Sequence, residues 1–277
     1  MKREIDFVKF NPTQNMTILI DDSNVVQDYE KIATKIMAYE NVYGEQVGFI
    51  KTPLNKKASA LLRMAGGEFC GNACMALGTL KAVEQGLELN ETLDIVLEVT
   101  GTDHLITCQV RRTPHKYYCQ LNMPIPTTLE QTTLHYEGSE LSVTFVTYRE
   151  AIHLIIEADT FNDSLKDKAE SLARLLGGTL NTHLIGILMY SPISNELAPL
   201  IYVPHLDSMI WERGCGSGTA SIGAYLTWKN KRKTVADISQ PGGSITVSGD
   251  YIAGEIRDLN IEGSVELVAK GTAYIDL

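Results

Sequence analysis

Two short stretches of the sequence carry the same pattern of potentially reactive residues. Residues 66–78 read GGEFCGNACMALG, and residues 211–226 read WERGCGSGTASIGAYL. Each predicts a helix with a cysteine at its first turn, Cys70 in one and Cys215 in the other. The first N–H groups of a helix have no partner within the helix and carry partial positive charge. An anion therefore binds there, and a thiol loses its proton more easily.

Two such helix starts that face each other place two sulfur atoms on opposite sides of one bound carboxylate. This arrangement suits inversion at the α-carbon of an amino acid: one cysteine removes the α-proton as a thiolate, and the other delivers a proton to the opposite face. The resulting carbanion is enolate-like, and the helix N-termini stabilise its charge on the carboxylate. On this interpretation, no cofactor is required.

The cysteines also have a purely structural interpretation. A lone cysteine is usually a small buried hydrophobic residue, and we predict this role for Cys74, Cys108 and Cys119. The repeated motif favours a functional role for Cys70 and Cys215. Five cysteines without an apparent secretion signal do not indicate a disulfide framework. No His or Cys cluster near Cys70 and Cys74 completes a tetrahedral site, so no metal is expected.

Composition excludes several classes of protein. The chain has 277 residues, of which 44% are apolar and 21% charged, and a formal net charge of −10. An acidic chain is a poor match for nucleic acid or for an anionic membrane surface. The first ten residues lack an apolar core of a signal peptide, and no run of about 18 apolar residues occurs. We expect a cytoplasmic protein that binds neither nucleic acid nor membrane.

The two halves of the chain form a diverged internal repeat. Residues 7–20 align with residues 145–158 at an offset of 145 − 7 = 138, which places Gly48 on Gly186 and Asn15 on His153. The cysteine motifs align at 215 − 70 = 145. The repeat predicts an α/β (α+β) fold of two pseudo-symmetric lobes, with a ligand site in the cleft between them.

Within each half the same order of elements is expected. Apolar strands are predicted at 7–20 and 143–157. Each is followed by an amphipathic helix, then by a glycine-containing strand, the cysteine helix and alternating strands. The proline-containing segment 122–128 is the best linker candidate. We therefore expect lobes at 1–124 and 125–266. The final strand, 267–277, is expected to join the first lobe.

Four motifs resemble those of the diaminopimelate-epimerase-like family of cofactor-independent racemases and epimerases. They are EFCGNA, CGSGTAS, NMTIL and QPGGSI. The resemblance spans nearly the whole chain. It implies lobes that are each a curved sheet wrapped around a central helix, with Cys70 and Cys215 as the catalytic pair. It also implies that the substrate carboxylate is bound by the backbone amides of Gly71, Asn72, Gly216 and Ser217.

The sequence departs from the family pattern for diaminopimelate itself. No asparagine stands in LLRMAGGEFC, before Cys70, and Ala151-Ile152-His153 replaces the usual Asn-Pro-His. Without these donors a distal amino-acid head group would lack hydrogen-bond partners. FNPTQNMTIL, EQVGFI and PLIYVP more closely resemble the family's histidine racemases of staphylopine-type metallophore biosynthesis. That resemblance implies L- to D-histidine conversion that supplies an opine-type metallophore.

The remaining candidate site residues would recognise the rest of the substrate. Glu45 is the best candidate to contact an imidazole or another basic side chain, although glutamate is often simply exposed. Glu212 would hold the α-ammonium group or be structural. His153 has a structural alternative as well. Arg213 stands where the histidine racemases of the family carry a smaller polar residue, and this leaves room for a different substrate. The residues expected to line the cleft are Asn15, Gln46 and His153.

Several alternatives remain open at this stage. The substrate could be ornithine, lysine or diaminopimelate instead of histidine. A non-catalytic amino-acid-binding protein would keep the carboxylate cradle but needs neither thiol. A third interpretation makes Cys70 and Cys215 a redox switch. The expected partner is a small amino-acid substrate, and a homodimer is compatible with the sequence.

Overall fold

The computed structural model describes residues 2–22, 28–180 and 182–276. The predicted mixed α/β fold is confirmed, with four α-helices and sixteen β-strands within this described part. The chain divides into two compact units. The N-terminal unit comprises Met1–Asn122 and Glu262–Leu277, and the C-terminal unit comprises Met123–Ile261. None of the described helices is long and apolar enough to cross a membrane.

In the N-terminal unit, the first seven strands lie in the sheet in the same order as in the chain, and one helix is central. Helix α2 (Gly71–Glu84) contacts every strand of this sheet, and most of its residues are buried on all sides. Helix α1 (Tyr29–Met37) buries Ile32 and Ile36 against the sheet, as its periodicity predicts. The strands, in order, are β1 (Lys2–Pro12), β2 (Thr17–Asp21), β3 (Gln46–Lys51), β4 (Ala60–Met64), β5 (Thr92–Val99), β6 (Ile106–Arg112) and β7 (Tyr117–Asn122).

The C-terminal unit follows a similar plan. Helix α4 (Gly216–Asn230) is the buried central helix, and α3 (Asp163–Thr179) packs Leu172 and Leu176 against the sheet. A 3-10 turn (Pro204–Leu206) precedes β13. The strands are β8 (Thr128–Tyr136), β9 (Ser139–Thr147), β10 (Ala151–Glu157), β11 (Leu184–Ser191), β12 (Glu196–Val203), β13 (Ser208–Trp211), β14 (Thr234–Gln240) and β15 (Gly243–Ile252).

The residues of the last strand, β16 (Glu255–Asp276), are divided between the two units. It begins in the C-terminal unit and ends in the N-terminal unit. Its second half pairs antiparallel with β1, so that Lys2 lies opposite Asp276. The first and last strands are therefore neighbours in one sheet.

Strand directions confirm the internal repeat. From β1 to β6 the successive pairs are antiparallel, parallel, antiparallel, parallel and antiparallel. The series β9, β10, β11, β12, β14 and β15 shows the same alternation. Strands β8 and β13 are additions to this plan. Since each parallel pair needs a crossover, the four helices occupy matching places in the two units.

The expectation of one strand at 7–20 and one at 143–157 is wrong. Each range forms two antiparallel strands joined by a turn. In the N-terminal unit, Thr13 and Gln14 reverse the chain with left-handed φ values of 51° and 59°. The Gln14 N–H donates to the Asn11 side chain at 2.5 Å, and this bond closes the turn. Apolar content alone did not reveal the reversal, although Asn11 and Pro12 are of residue types that favour turns.

Strand register also corrects the expected equivalence of Asn15 and His153. In the two parallel pairs, Gly48 lies beside Leu19, and Gly186 lies beside His153. The structural counterpart of His153 is therefore Leu19. Asn15 belongs to a turn that is longer in the N-terminal unit than its counterpart in the C-terminal unit. The alignment without gaps missed this difference in turn length.

Candidate active site

Cys70 caps the N-terminus of α2, as its motif predicts. Its sulfur accepts a hydrogen bond from the Ala73 N–H at 3.4 Å, in the first turn of the helix. The same sulfur lies 2.9 Å from Oε1 of Gln46, to which the thiol donates. The side chain is half-buried. The helix start therefore presents a thiol together with backbone donors, as an anion site requires.

A hydrogen-bonded chain connects Cys70 to the turn before β2. Gln46 Nε2 donates to the Thr17 hydroxyl at 2.7 Å, and that hydroxyl donates to the Asn15 carbonyl at 3.1 Å. Asn15 is 0% exposed, and its side-chain Oδ1 and Nδ2 have no hydrogen-bond partner among the described residues. Glu45 directly precedes Gln46. The structure thus brings four predicted residues to one end of the N-terminal unit. Thr17 is an addition that sequence analysis missed.

The segment that enters α2 is held by a neighbouring turn. The Thr100 hydroxyl donates to the Glu68 carbonyl at 3.3 Å. Gly101 follows with a φ of +80° and lies directly against the backbone of this segment. The predicted carboxylate-binding residues Gly71 and Asn72 form the first turn of α2 and are buried. Their position depends on where this entering segment lies.

Cys215 caps α4 in the same way, but in different surroundings. Its sulfur accepts a hydrogen bond from the Gly218 N–H at 3.2 Å and lies 3.5 Å from the Ser217 hydroxyl. The residue is only 1% exposed and packs with Leu184 and Ile201 in an apolar cluster. Gly216 and Ser217, predicted to bind the carboxylate, form the first turn of this helix.

At Cys215 the effect of the helix N-terminus on the thiol is outweighed by the surroundings of the sulfur. Burial raises the pKa of the Cys215 thiol well above its ordinary value. The neighbouring Glu212 carboxylate raises this pKa further, through its charge and by accepting the thiol proton in a hydrogen bond. Ser217 and the Gly218 amide lower it by less. Glu212 is thus the direct partner of Cys215.

Gln240 holds Cys215 in position, although sequence analysis did not select this glutamine. The Cys215 N–H donates to Gln240 Oε1 at 2.7 Å, and Gln240 Nε2 donates to the Thr219 hydroxyl at 2.9 Å. Gln240 opens the QPGGSI stretch, which was the available signal. Arg213, unexplained by the sequence, donates to the Pro241 carbonyl at 3.2 Å. It therefore helps to hold this turn beside the cysteine.

His153 lies in the C-terminal unit, hydrogen-bonded to the helix that Cys215 begins. Its Nδ1 is 2.6 Å from the Ser221 hydroxyl, which is 2.8 Å from the Tyr148 hydroxyl. The ring is 1% exposed, packs directly against Gly186, and its Nε2 has no hydrogen-bond partner in the described part of the chain. Burial lowers the pKa of His153 to about 4, so the ring is neutral at pH 7. Ser221 ends the CGSGTAS stretch, which was the available signal, whereas Tyr148 had none.

The depressed pKa of His153 predicts a loss of stability in acid. Below about pH 6.5 the unfolded chain binds a proton at this histidine, whereas the folded protein does so only near pH 4. The free energy of unfolding is expected to lose about 3 kcal/mol from this group between neutral pH and about pH 4. Chemical denaturation of wild type and His153→Gln across this range measures the difference.

The matched control for this experiment is His115→Gln, which changes an exposed histidine. It should keep the wild-type dependence of stability on pH. Equal pH dependence in the wild type and in His153→Gln would contradict the assignment of this acid sensitivity to His153.

The fold is that of amino-acid racemases and epimerases. A crystal structure of a hydroxyproline epimerase from Agrobacterium vitis matches with a TM-score of 0.75 at 12% sequence identity. The match covers 100% of this chain and 94% of that one. At this identity the likeness establishes the architecture of the fold.

The chain belongs to the family described as histidine racemase CntK N-terminal domain, which matches residues 4–274. A histidine racemase from Staphylococcus aureus is 31% identical over 277 residues, with 99% of each chain covered. A histidine racemase from Fusobacterium nucleatum subsp. nucleatum is 30% identical, covering 98% of this chain and 97% of the relative. The resemblance predicted from the motifs is thereby confirmed.

Proposed function

We propose that the protein is a cofactor-independent histidine racemase that interconverts L- and D-histidine with Cys70 and Cys215 as its two acid–base groups. The observation that carries this proposal is the repeated helix cap. In two units of matching topology, a cysteine sulfur accepts a hydrogen bond from the first turn of a buried helix. Membership of the histidine racemase family supports the choice of substrate.

In the proposed reaction, one sulfur acts as a thiolate and takes the α-proton from one face of the substrate. The electron pair of the broken C–H bond passes into the α-carbon and its carboxylate. The other sulfur, as a thiol, gives its proton to the opposite face of the same carbon and becomes the thiolate. The configuration inverts, and the reverse reaction uses the same two groups with their roles exchanged.

The substrate carboxylate is proposed to lie at the helix N-termini, where backbone donors and partial positive charge stabilise the enolate-like carbanion. An external electron sink is then unnecessary, which supports chemistry without a cofactor. This role falls to the four first-turn residues Gly71, Asn72, Gly216 and Ser217.

Other residues are proposed to recognise the side chain and the α-ammonium group. Glu45 would contact the imidazole, and Glu212 would contact the ammonium. The Asn15 amide is buried and has no hydrogen-bond partner within the part of the chain that the structure describes. This supports a ligand contact, because buried polar groups normally have a partner. The same reasoning applies to Nε2 of His153. Gln46 completes the proposed set through its contact with Cys70.

The wider setting forms part of the same proposal. Residues 1–124 with 267–277 and residues 125–266 would act as the two catalytic lobes. The enzyme would be cytoplasmic, would assemble as a homodimer and would supply D-histidine for an opine-type metallophore. Cell fractionation, analytical ultracentrifugation and metabolite analysis of a deletion strain test these three points in turn.

The test of the catalytic proposal is incubation of the reduced protein with L-histidine in D₂O, without added cofactor. We expect loss of the α-proton NMR signal together with D-histidine in chiral chromatography. The reaction should stop at equal amounts of the two enantiomers, because enantiomers have the same free energy in an achiral solvent. L-Lysine, L-ornithine and diaminopimelate are assayed in parallel.

The other outcomes separate the alternative functions. Turnover of another amino acid would keep the two-thiol chemistry and remove the assignment of Glu45 to imidazole. Histidine binding without exchange, unaffected by Cys70→Ser or Cys215→Ser, would identify a binding protein. Activity that appears only after reduction would indicate that the two thiols also act as a redox switch.

A further inference from the structure

The two thiols have different neighbours at one equivalent position of the repeat. Strands β2 and β3 begin their parallel pairing at Thr17 and Gln46, and β10 and β11 begin theirs at Ala151 and Leu184. In the N-terminal unit this pair hydrogen-bonds to the cysteine that caps the central helix. In the C-terminal unit the corresponding pair packs against the cysteine through apolar side chains. The acid–base groups are thus chemically unequal.

The hydrogen bonds determine which way the Gln46 amide faces. The Thr17 hydroxyl has one proton, which it donates to the Asn15 carbonyl, so its oxygen can only accept from Gln46. The amide nitrogen must therefore face Thr17. The amide oxygen is left facing the Cys70 sulfur at 2.9 Å. Only a protonated sulfur can donate to that oxygen.

The Gln46 oxygen cannot itself remove the proton that it accepts in this hydrogen bond. An amide oxygen accepts a hydrogen bond but is not protonated at physiological pH. The contact therefore favours the protonated sulfur over the thiolate.

We propose that Thr17 and Gln46 are positioning residues that hold Cys70 as the thiol in the free protein. A consequence for turnover rests on the proposed racemase function: the first substrate molecule then meets Cys70 as a proton donor. Cys70 gives its proton to the α-carbon from which the group on the opposite face has taken the α-proton. After product leaves, Cys70 takes a proton from solvent and the opposite group releases to solvent the proton that it took.

Thr17→Val tests the proposal without any substrate. Valine keeps the shape of threonine but removes the acceptor for the Gln46 nitrogen. The amide is then expected to rotate, so that its N–H groups face the sulfur and stabilise the thiolate. Alkylation of Cys70 by iodoacetamide at neutral pH, followed by peptide mass spectrometry, should become about tenfold faster, the effect of one hydrogen bond to a charged group.

Two variants serve as controls. Thr79→Val changes another fully buried threonine of the same unit, whose hydroxyl has no hydrogen-bond partner among the described residues. It should leave the alkylation rate of Cys70 unchanged. Thr17→Ser keeps the hydroxyl and should restore the wild-type rate. An unchanged rate in Thr17→Val, or an equal increase in Thr79→Val, would overturn the proposal.

A measurement on the wild type keeps the proposal testable if Thr17→Val does not fold. Infrared difference spectra against Cys70→Ala should contain an S–H stretching band from Cys70 at neutral pH. Absence of that band would also overturn the proposal. Both measurements are independent of turnover. A protein that does not racemise histidine can therefore still show that Cys70 is held as the thiol.

Discussion

Serine in place of Cys70 or of Cys215 will lower kcat for histidine racemisation by about 10²- to 10⁴-fold, the usual contribution of one general acid or base. A serine hydroxyl has nearly the size of the thiol but hardly ionises at physiological pH. Each variant lacks one of the two proton-transfer groups that inversion requires. Initial rates by chiral chromatography in both directions, at saturating L- or D-histidine, measure the effect.

The matched control is Cys119→Ala, which removes a fully buried thiol from the core of the N-terminal unit. This substitution should cost stability and leave kcat near the wild-type value. The double variant Cys70→Ser/Cys215→Ser should be hardly slower than either single variant, because the two sulfurs act as one unit. Full activity in either single variant would reject the two-thiol mechanism.

Alanine at Gly101 will destabilise the protein by about 3 kcal/mol or more and reduce activity as well. Two costs combine at this position. A left-handed φ costs a non-glycine residue about 1–2 kcal/mol. The added Cβ would also overlap the backbone of Phe69, which leads directly into Cys70. Backbone cannot rotate away as a flexible side chain can, so the segment that enters α2 must move.

Gly86→Ala isolates the conformational part of this effect. Gly86 has a φ of +86°, close to the +80° of Gly101, but an added Cβ meets no atom within 4 Å. We expect a loss of about 1 kcal/mol with normal kcat. Chemical denaturation and initial rates of the two variants are compared directly. Equal losses in both would show that contact with the Phe69 segment is unimportant.

The helix caps were predictable from sequence because their information is local. A cysteine, a glycine and a small polar residue in succession specify a helix start, and the repeat of this pattern in both halves selected Cys70 and Cys215 among five cysteines. The burial of the two central helices was also predictable, because α2 and α4 themselves carry small and apolar residues on all faces. The mixed fold and the internal repeat were accessible for this reason.

Features that depend on long-range contacts were not predictable. Thr17 hydrogen-bonds to Gln46, the partner of the Cys70 thiol, and Gln240 accepts from the Cys215 N–H. Both residues approach through strand register and turn geometry, which composition does not encode. The raised pKa of Cys215 arises because Leu184 comes from a distant strand and helps to bury the sulfur. The local helix N-terminus favours the thiolate, and the tertiary environment opposes it.

Strand β16 has a consequence for the order in which the chain folds during synthesis. The C-terminal unit is one continuous segment, Met123–Ile261, and all of it is synthesised before the residues of β16 that pair with β1. The N-terminal unit is synthesised first, but β1 waits for residues 265–276 to pair with it. The first half of the chain therefore completes its sheet last. Until then it exposes an unpaired strand edge, the kind of edge at which chains associate wrongly.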